Sequence, residues 1–337
     1  MKYLATLLFA LSLLPALAQQ RFTTRNLLLP KELEFYDNQF SGLAVSKDKL
    51  LLMTECRLQD NAEAKLYAIK LTDLDRQLTD STYVLPYQKL RLPNLPVLRA
   101  KIDALGQRYE GLEALLIDKD VVYLSVETAT PSANCYLLKG RLHAATIDLD
   151  TAFLVPLTKP LAADGSHIYN AGFEALAKSH KQLFAFFEFN YFPAKNYAYA
   201  FERPPLRSTS TATKVLFEKL PFRITDVTAT GSNHFTAINY FFKGEGEDAV
   251  YRTPTADVGN AHLIADKGVF KNYCRLITIE FKGDSFSWKP VWEFPEQYRG
   301  YNWEGIAAYK QGYFIINDKY TPTRPYRSTL LYLQQAN

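Results

Sequence analysis

Asn302-Trp303-Glu304-Gly305-Ile306-Ala307-Ala308 stands near the C-terminus. Its pattern is an aromatic, an acid, a small residue, an aliphatic and then alanine. Tyr109-Glu110-Gly111-Leu112-Glu113-Ala114 and Gly172-Phe173-Glu174-Ala175-Leu176-Ala177 are clear copies further upstream. Thr225-Asp226-Val227-Thr228-Ala229 and Phe40-Ser41-Gly42-Leu43-Ala44 are degenerate ones. Copies recurring every roughly 50 to 80 residues indicate one closed repeat domain instead of a string of independent domains.

Each copy opens a short apolar run, which crosses a polar turn into a second run. The turns include Ser46-Lys47-Asp48, Asp118-Lys119-Asp120, Gly231-Ser232-Asn233 and Lys310-Gln311-Gly312. Apolar runs across polar turns read as β-hairpins. Two further strand candidates follow most hairpins, and the fourth tends to end at a proline: Pro93, Pro160, Pro221 and Pro295. Proline cannot donate to a strand ladder, so it terminates a strand well. The fifth repeat runs out of chain after three strands. The run Arg25 to Leu29, followed by Pro30, carries the missing fourth-strand signature at the other end of the chain. The pattern therefore predicts an all-β fold: a five-bladed β-propeller of four-stranded antiparallel blades, closed by an N-terminal strand. The alternative is six blades, with the excursion from Phe242 to Tyr273 supplying part of another.

The first residues read as a secretory signal peptide. Lys2 supplies the positive end, Leu4 to Leu17 the apolar stretch and Ala16-Leu17-Ala18 a small-x-small cleavage site. The expected division is residues 1–18 as leader and 19–337 as a single propeller domain. No cysteine follows the cleavage site, so no lipid anchor is expected, and no later stretch is long and apolar enough to span a bilayer. The expected location is secreted or periplasmic. A hydrophobic content of 47% with 22% charged residues marks a folded chain, not a disordered one. The formal charge of +4 comes without a long Lys/Arg run, so the balance does not point to nucleic acid and no nucleic-acid partner is expected. Cys56, Cys135 and Cys274 form no CxxC pair. Their odd number leaves at least one thiol free, and whether two of them form a disulfide stays open. No HExxH, GxSxG, Walker A or GxGxxG pattern occurs, which disfavours zinc proteases, serine hydrolases and nucleotide-cofactor enzymes.

In a propeller the first strand of each blade lines the central channel. The five equivalent motif positions are Ser41, Glu110, Glu174, Asp226 and Glu304, of which four are acidic. Carboxylates gathered at one axis repel, so some must protonate or bind a cation. A rigid ring of hard oxygen donors suits Ca²⁺. A second set of acids ends the second strands: Glu55, Glu127, Glu188 and Asp318. Basic residues stand near them: Arg57, Lys195, Lys319, Arg324 and Arg327. Cations beside a carboxylate-bound metal suit an anionic substrate. Phe189, Tyr191, Phe192, Tyr197 and Tyr199 are expected to pack between blades in preference to walling a ligand cleft.

At Tyr109-Glu110-Gly111-Leu112-Glu113 and Trp303-Glu304-Gly305-Ile306-Ala307 the chain resembles the blade-head motifs of the calcium-activated nucleotidase (apyrase) family, five-bladed propellers with a central Ca²⁺. The same motifs resemble phytase-like propellers with esterase activity and periplasmic propellers of the SdiA-regulated type. The resemblance implies that Ser41, Glu110, Glu174 and Glu304 surround the calcium, with Asp226 in the same place. An apyrase carries an Asp-Asp-Arg-Thr-Gly-type run after its first hairpin, where this chain has Glu55-Cys56-Arg57-Leu58-Gln59. The expected function is a metal-dependent hydrolase of a phosphorylated or ester substrate. Glu55 or Glu188 would orient water, and Arg57 would hold the anion. The other class is a non-catalytic binding propeller braced by a structural calcium.

Overall fold

The computed structural model describes residues 21–35, 38–57, 63–179, 181–202, 204–320 and 327–336. The expected leader, residues 1–18, lies outside them, as does Arg324, and the side chain of Lys319 is likewise not described.

The N-terminal strand β1 runs Phe22–Leu27, a few residues ahead of the expected position. Pro30 then starts a short helix, α1 (Lys31–Glu34). Three hairpin-rich stretches follow in order. The first is β2 (Phe40–Ser46), β3 (Lys49–Thr54), β4 (Lys65–Lys70) and β5 (Gln88–Arg91). The second is β6 (Tyr109–Asp118), β7 (Val121–Thr128), β8 (Asn134–Leu142) and β9 (Ile147–Thr158). The third is β10 (Ala175–Lys178), β11 (Gln182–Phe186), β12 (Asn196–Glu202) and β13 (Thr213–Phe217). Next come β14 (Arg223–Ala229) and β15 (His234–Phe241), then an excursion bearing a two-stranded hairpin, β16 (Ala265–Asp266) with β17 (Val269–Phe270). The chain returns as β18 (Tyr273–Lys282) and β19 (Ser285–Glu293) and finishes with β20 (Tyr301–Tyr309), β21 (Gly312–Tyr320) and β22 (Leu330–Gln335).

Among the described residues these strands make three four-stranded antiparallel sheets, one eight-stranded sheet and the small hairpin. The last four-stranded sheet has the order β1-β22-β21-β20, so the N-terminal strand completes the C-terminal sheet, with Phe22 opposite Gln335 and Leu27 opposite Leu330. The eight-stranded sheet is two antiparallel four-strand runs joined edge to edge. Their outer strands, β13 and β19, pair in parallel at Leu216–Ser285 and Phe217–Phe286. Around that join Phe286 packs its ring 4.9 Å from Phe184 and 5.1 Å from Phe186. A shared aromatic core and a shared sheet edge hold the two runs as one unit.

The local chemistry of the turns explains the hairpins. Ser46 pairs with Lys49, Asp118 with Val121 and Tyr309 with Gly312, each across a two-residue loop. The first loop residue takes positive φ in all three: Lys47 at 54°, Lys119 at 62° and Lys310 at 51°. A left-handed residue gives a two-residue loop the twist that antiparallel strands need.

The first strands of the five four-strand runs touch one another in a cycle: β2 against β6, β6 against β10, β10 against β14, β14 against β20, and β20 against β2. Approach is tight where β20 meets β2. A Cβ on Gly305 would fall 2.7 Å from Ile316 Cγ2 and 2.9 Å from Leu43 Cγ. Only glycine leaves room there. Side-chain donors tie the cycle together. Ser41 Oγ donates to the Leu112 carbonyl at 2.7 Å, Ser125 Oγ to Phe173 at 2.6 Å, and Thr225 Oγ1 to Trp303 at 2.6 Å.

Two helices occupy connections: α2 (Leu71–Thr79), between β4 and β5, and α3 (Leu95–Ala104), between β5 and β6. Each buries one face, Leu71 and Leu74 in α2, and Leu95, Leu98 and Ile102 in α3. Within the excursion lie a 3₁₀ segment, Gly246–Tyr251, and α4 (Val258–Ile264). All three cysteines are free thiols, Cys135 and Cys274 buried in strands and Cys56 half-buried after β3. The aromatics Phe189, Phe192 and Tyr199 are core residues, with the Phe189 and Phe192 rings 4.7 Å apart. No helix among the described residues is long and apolar enough to cross a membrane.

Candidate metal centre where the first strands meet

A cavity of about 180 Å³ opens where the first strands converge. The first-strand positions supply Ser41, Glu113, Thr225 and Glu304, and Glu174 enters just ahead of β10. The second-strand ends supply Glu127, Asp318, Glu55 and Glu188. Arg57 and Arg223 complete the charged wall. Seven carboxylates face two guanidinium groups, so full ionisation would leave five uncompensated negative charges in a largely buried space.

The structure differs from simple motif counting at two of the five heads. Glu110 is not in the wall, and Glu113 is. β6 carries irregularities between Tyr109 and Gly111 and again between Leu112 and Ala114. A bulge breaks the strict alternation of strand side chains, so counting by twos loses its phase. Asp226 is likewise replaced in the wall by Thr225. The β14 ladder is irregular between Ile224 and Asp226, and the Asp226 carboxylate turns to the backbone. Its Oδ2 accepts the Ile306 N–H at 2.8 Å and its Oδ1 the Val227 N–H at 2.7 Å. Burial raises the Asp226 carboxyl well above its ordinary range, against the pull of those amides. Glu174, Glu304 and Ser41 do lie in the wall, although the Ser41 hydroxyl proton is committed to Leu112. Glu55, Arg57 and Glu188 also line the cavity, with Arg57 bound through Nε to Glu55 Oε2. Arg327 instead reaches Glu34 at 3.3 Å, and Lys195 belongs to a separate surface groove.

Glu113, Glu127 and Glu174 come closest together. One oxygen from each lies within 4.8 Å of the others. All three residues are buried, and Glu127 Oε1 has no hydrogen-bond partner. Burial and then the neighbouring carboxylates push Glu113 and Glu174 well above the usual carboxylate range. Glu127 is pushed up to about 8, chiefly by burial, with Lys159 working in the opposite direction. Glu304 is raised by burial and by Asp318, and Glu188 by burial against the pull of Arg223.

This donor set fits a hard divalent cation. Ca²⁺–oxygen bonds of about 2.3–2.6 Å place ligand oxygens up to about 5 Å apart across the ion, which matches the observed spread. An orphaned buried carboxylate oxygen and three carboxyls that cannot all ionise unaided are what a cation would satisfy. The cavity is smaller than the roughly 300–1,000 Å³ of ordinary ligand pockets, so it has room for an ion and little more.

No protein-family model matches the sequence. No curated protein matches it either. Among solved structures, an α-L-arabinofuranosidase from Lactobacillus brevis aligns over 91% of this chain and 94% of its own, at 11% identity and a TM-score of 0.43. An exported protein from Bacteroides fragilis NCTC 9343 aligns over 96% and 97%, at 8% identity and a TM-score of 0.37. Likeness at these scores assigns the chain neither a family nor an activity.

Proposed function

We propose that the five four-strand runs are the blades of a closed five-bladed β-propeller and that its axial cavity holds Ca²⁺. In this reading the protein is a calcium-dependent hydrolase of phosphorylated or ester substrates that acts outside the cytoplasm. The observation that carries the reading is the buried convergence of Glu113, Glu127 and Glu174 inside a cycle of first strands. The leader-like residues 1–18 and the motif resemblance to calcium-activated nucleotidases and phytase-like esterases support the location and reaction class.

Glu113, Glu127 and Glu174 hold the ion, with Ser41 and Glu304 beside them in the wall. Glu110 and Asp226 are left out of this ligand set because neither lines the cavity. A bound Ca²⁺ supplies Lewis-acid polarisation of a substrate oxygen. Glu55 and Glu188, buried at the second-strand ends, would orient water, and Arg57 at the rim would meet the anionic part of the substrate.

A second reading is a non-catalytic binding propeller whose calcium braces the ring. The hydroxyl-to-carbonyl ties from Ser41, Ser125 and Thr225 favour it, because they link neighbouring four-strand runs in this region. A calcium isotherm run beside a hydrolase screen of nucleotides, phytate, phosphomonoesters and simple esters separates the two. Calcium-dependent turnover supports the enzyme, tight calcium binding without turnover supports the brace, and absence of calcium binding removes both.

A further inference from the structure

The excursion between β15 and β18 reaches the cavity at Arg223, which opens β14 and lines the wall. Its Nη2 donates to Asp248 Oδ1 at 2.7 Å, and its guanidinium lies 4.0 Å from the centre of the Tyr251 ring. Asp248 and Tyr251 both sit on the 3₁₀ segment Gly246–Tyr251, which Arg252 fastens by donating to the Gly244 carbonyl at 2.8 Å. Arg223 Nε stands 3.6 Å from Glu188 Oε2, beyond hydrogen-bond reach, and is buried without a hydrogen-bond partner. Oε1 of Glu188, a residue only 2% exposed, also lacks a hydrogen bond of ordinary geometry, with Tyr251 the donor beside that carboxyl.

The two arginines of the cavity are therefore built differently. Arg57 has a side chain 38% exposed and bonds a carboxylate two residues away on its own loop. Arg223 is 17% exposed and is held in place by a carboxylate and an aromatic face brought from another part of the chain. A guanidinium fixed from behind, with its Nε–H left without a hydrogen bond beside Glu188, keeps a charge-assisted donor available to an anion oxygen. The acid-rich wall opposite would repel that anion unless a cation intervened.

We propose that Arg223, clamped by Asp248 and Tyr251, is the inner anion receptor of this site, deeper than the rim contact assigned to Arg57, so that its ligand is a tetrahedral oxyanion held between Arg223 and the carboxylate-bound cation. The placement of the cation rests on the calcium reading above, whereas the receptor role of Arg223 does not. The excursion is thereby a specificity element, selecting oxyanion-bearing ligands over neutral esters.

The test uses the full chain and two independent readouts. Terbium luminescence, sensitised by Trp303 and its aromatic neighbours, reports the cation site. Calorimetric titration with inorganic phosphate, and separately with sulfate, reports the anion subsite in calcium and again in chelator. Arg223→Gln should weaken phosphate binding by about 10- to 100-fold, the loss expected for a charge-assisted hydrogen-bond pair. Terbium affinity should not fall, since no carboxylate is lost and the variant removes a positive charge from the wall. Asp248→Asn, which loosens the clamp, should weaken phosphate more mildly. Arg223→Lys keeps the charge without the guanidinium and should also lose affinity, which keeps the test decisive if the glutamine variant folds poorly. Sulfate binding as tightly as phosphate would identify a general tetrahedral-oxyanion site, and preference for phosphate a phosphoryl site. If wild-type protein binds neither anion, or if Arg223→Gln and Arg223→Lys bind phosphate as wild type does, the proposal fails. Failure of terbium to bind would overturn the calcium reading instead, and Arg223-dependent phosphate binding in chelator would still decide the receptor role.

Discussion

Asp226 on β14 accepts the backbone N–H of Ile306 on β20 at 2.8 Å, so an acid at a motif head serves as a tie between two strands of the ring. Its other oxygen accepts the Val227 N–H. Removing the carboxylate orphans two buried donors. Asp226→Ala should cost about 2–6 kcal/mol, since each of the two unsatisfied buried groups costs about 1–3 kcal/mol. Calcium affinity should change little. Urea unfolding and a calcium isotherm on the same variant check this, and a large loss of calcium affinity with unchanged stability would return Asp226 to the metal.

Glu127→Gln should behave in the opposite way. Glu127 is one of three converging carboxylates, and affinity in oxygen-ligand sites follows ligand charge. Calcium binding should weaken by at least about tenfold. Stability in chelator should not fall, because the orphaned Oε1 is a liability without a cation. A calcium affinity equal to wild type would show that the triad is not the binding site.

The raised carboxyls predict a pH dependence with a definite sign. Glu127 moves from an ordinary value of 4.5 to about 8, mainly through burial, so the folded chain holds its proton more tightly than the unfolded chain does. Its contribution to stability is complete below pH 4.5 and is lost as pH rises through about 8. In chelator, therefore, the melting temperature should fall across that window, and Glu127→Gln should flatten the fall. Calcium displaces the protons and should flatten it too, with proton release on binding. Melting curves at stepped pH, with and without calcium, read this directly. A chelated protein that gains stability across the window would contradict the account.

Gly305→Ala tests the ring closure. The added methyl would meet Ile316 on β21 of the same sheet and Leu43 on β2 across the closure, both at under 3.0 Å. Overpacking of this kind costs about 1–3 kcal/mol. Thermal unfolding should show the loss, whereas a neutral effect would mean that the two strands have room to separate.

Much of the strand layout is legible in the chain itself. The two-residue turns at Lys47, Lys119 and Lys310, the prolines after the outer strands and the orphan strand at the N-terminus all reflect local backbone chemistry, and the observed ladders follow them. The helices α2 and α3 were not read from it, although Leu71 and Leu74, and Leu95, Leu98 and Ile102, carry a helical spacing. Short helices between strands compete weakly with a strong two-residue alternation on either side. The joining of two four-strand runs through β13 and β19 has no local signal, because Leu216 and Phe217 meet Ser285 and Phe286 only after both sheets form.

The sequence by itself determined that acids recur at strand starts and at strand ends, and that both sets return to one region of the molecule. Repetition is enough for that, since each repeat folds by the same local rules. Which acids enter the cavity was decided by tertiary structure alone. Bulges occur at the heads of β2, β6, β14 and β20, and in β6 and β14 they leave Glu113 and Thr225 in the wall where counting pointed to Glu110 and Asp226, a choice made by how each strand fits its neighbours. The partners of Arg223 were decided in the same way. Asp248 lies 25 residues along the chain in a different element, and the chain brings the two within 2.7 Å only by folding the excursion back onto the ring.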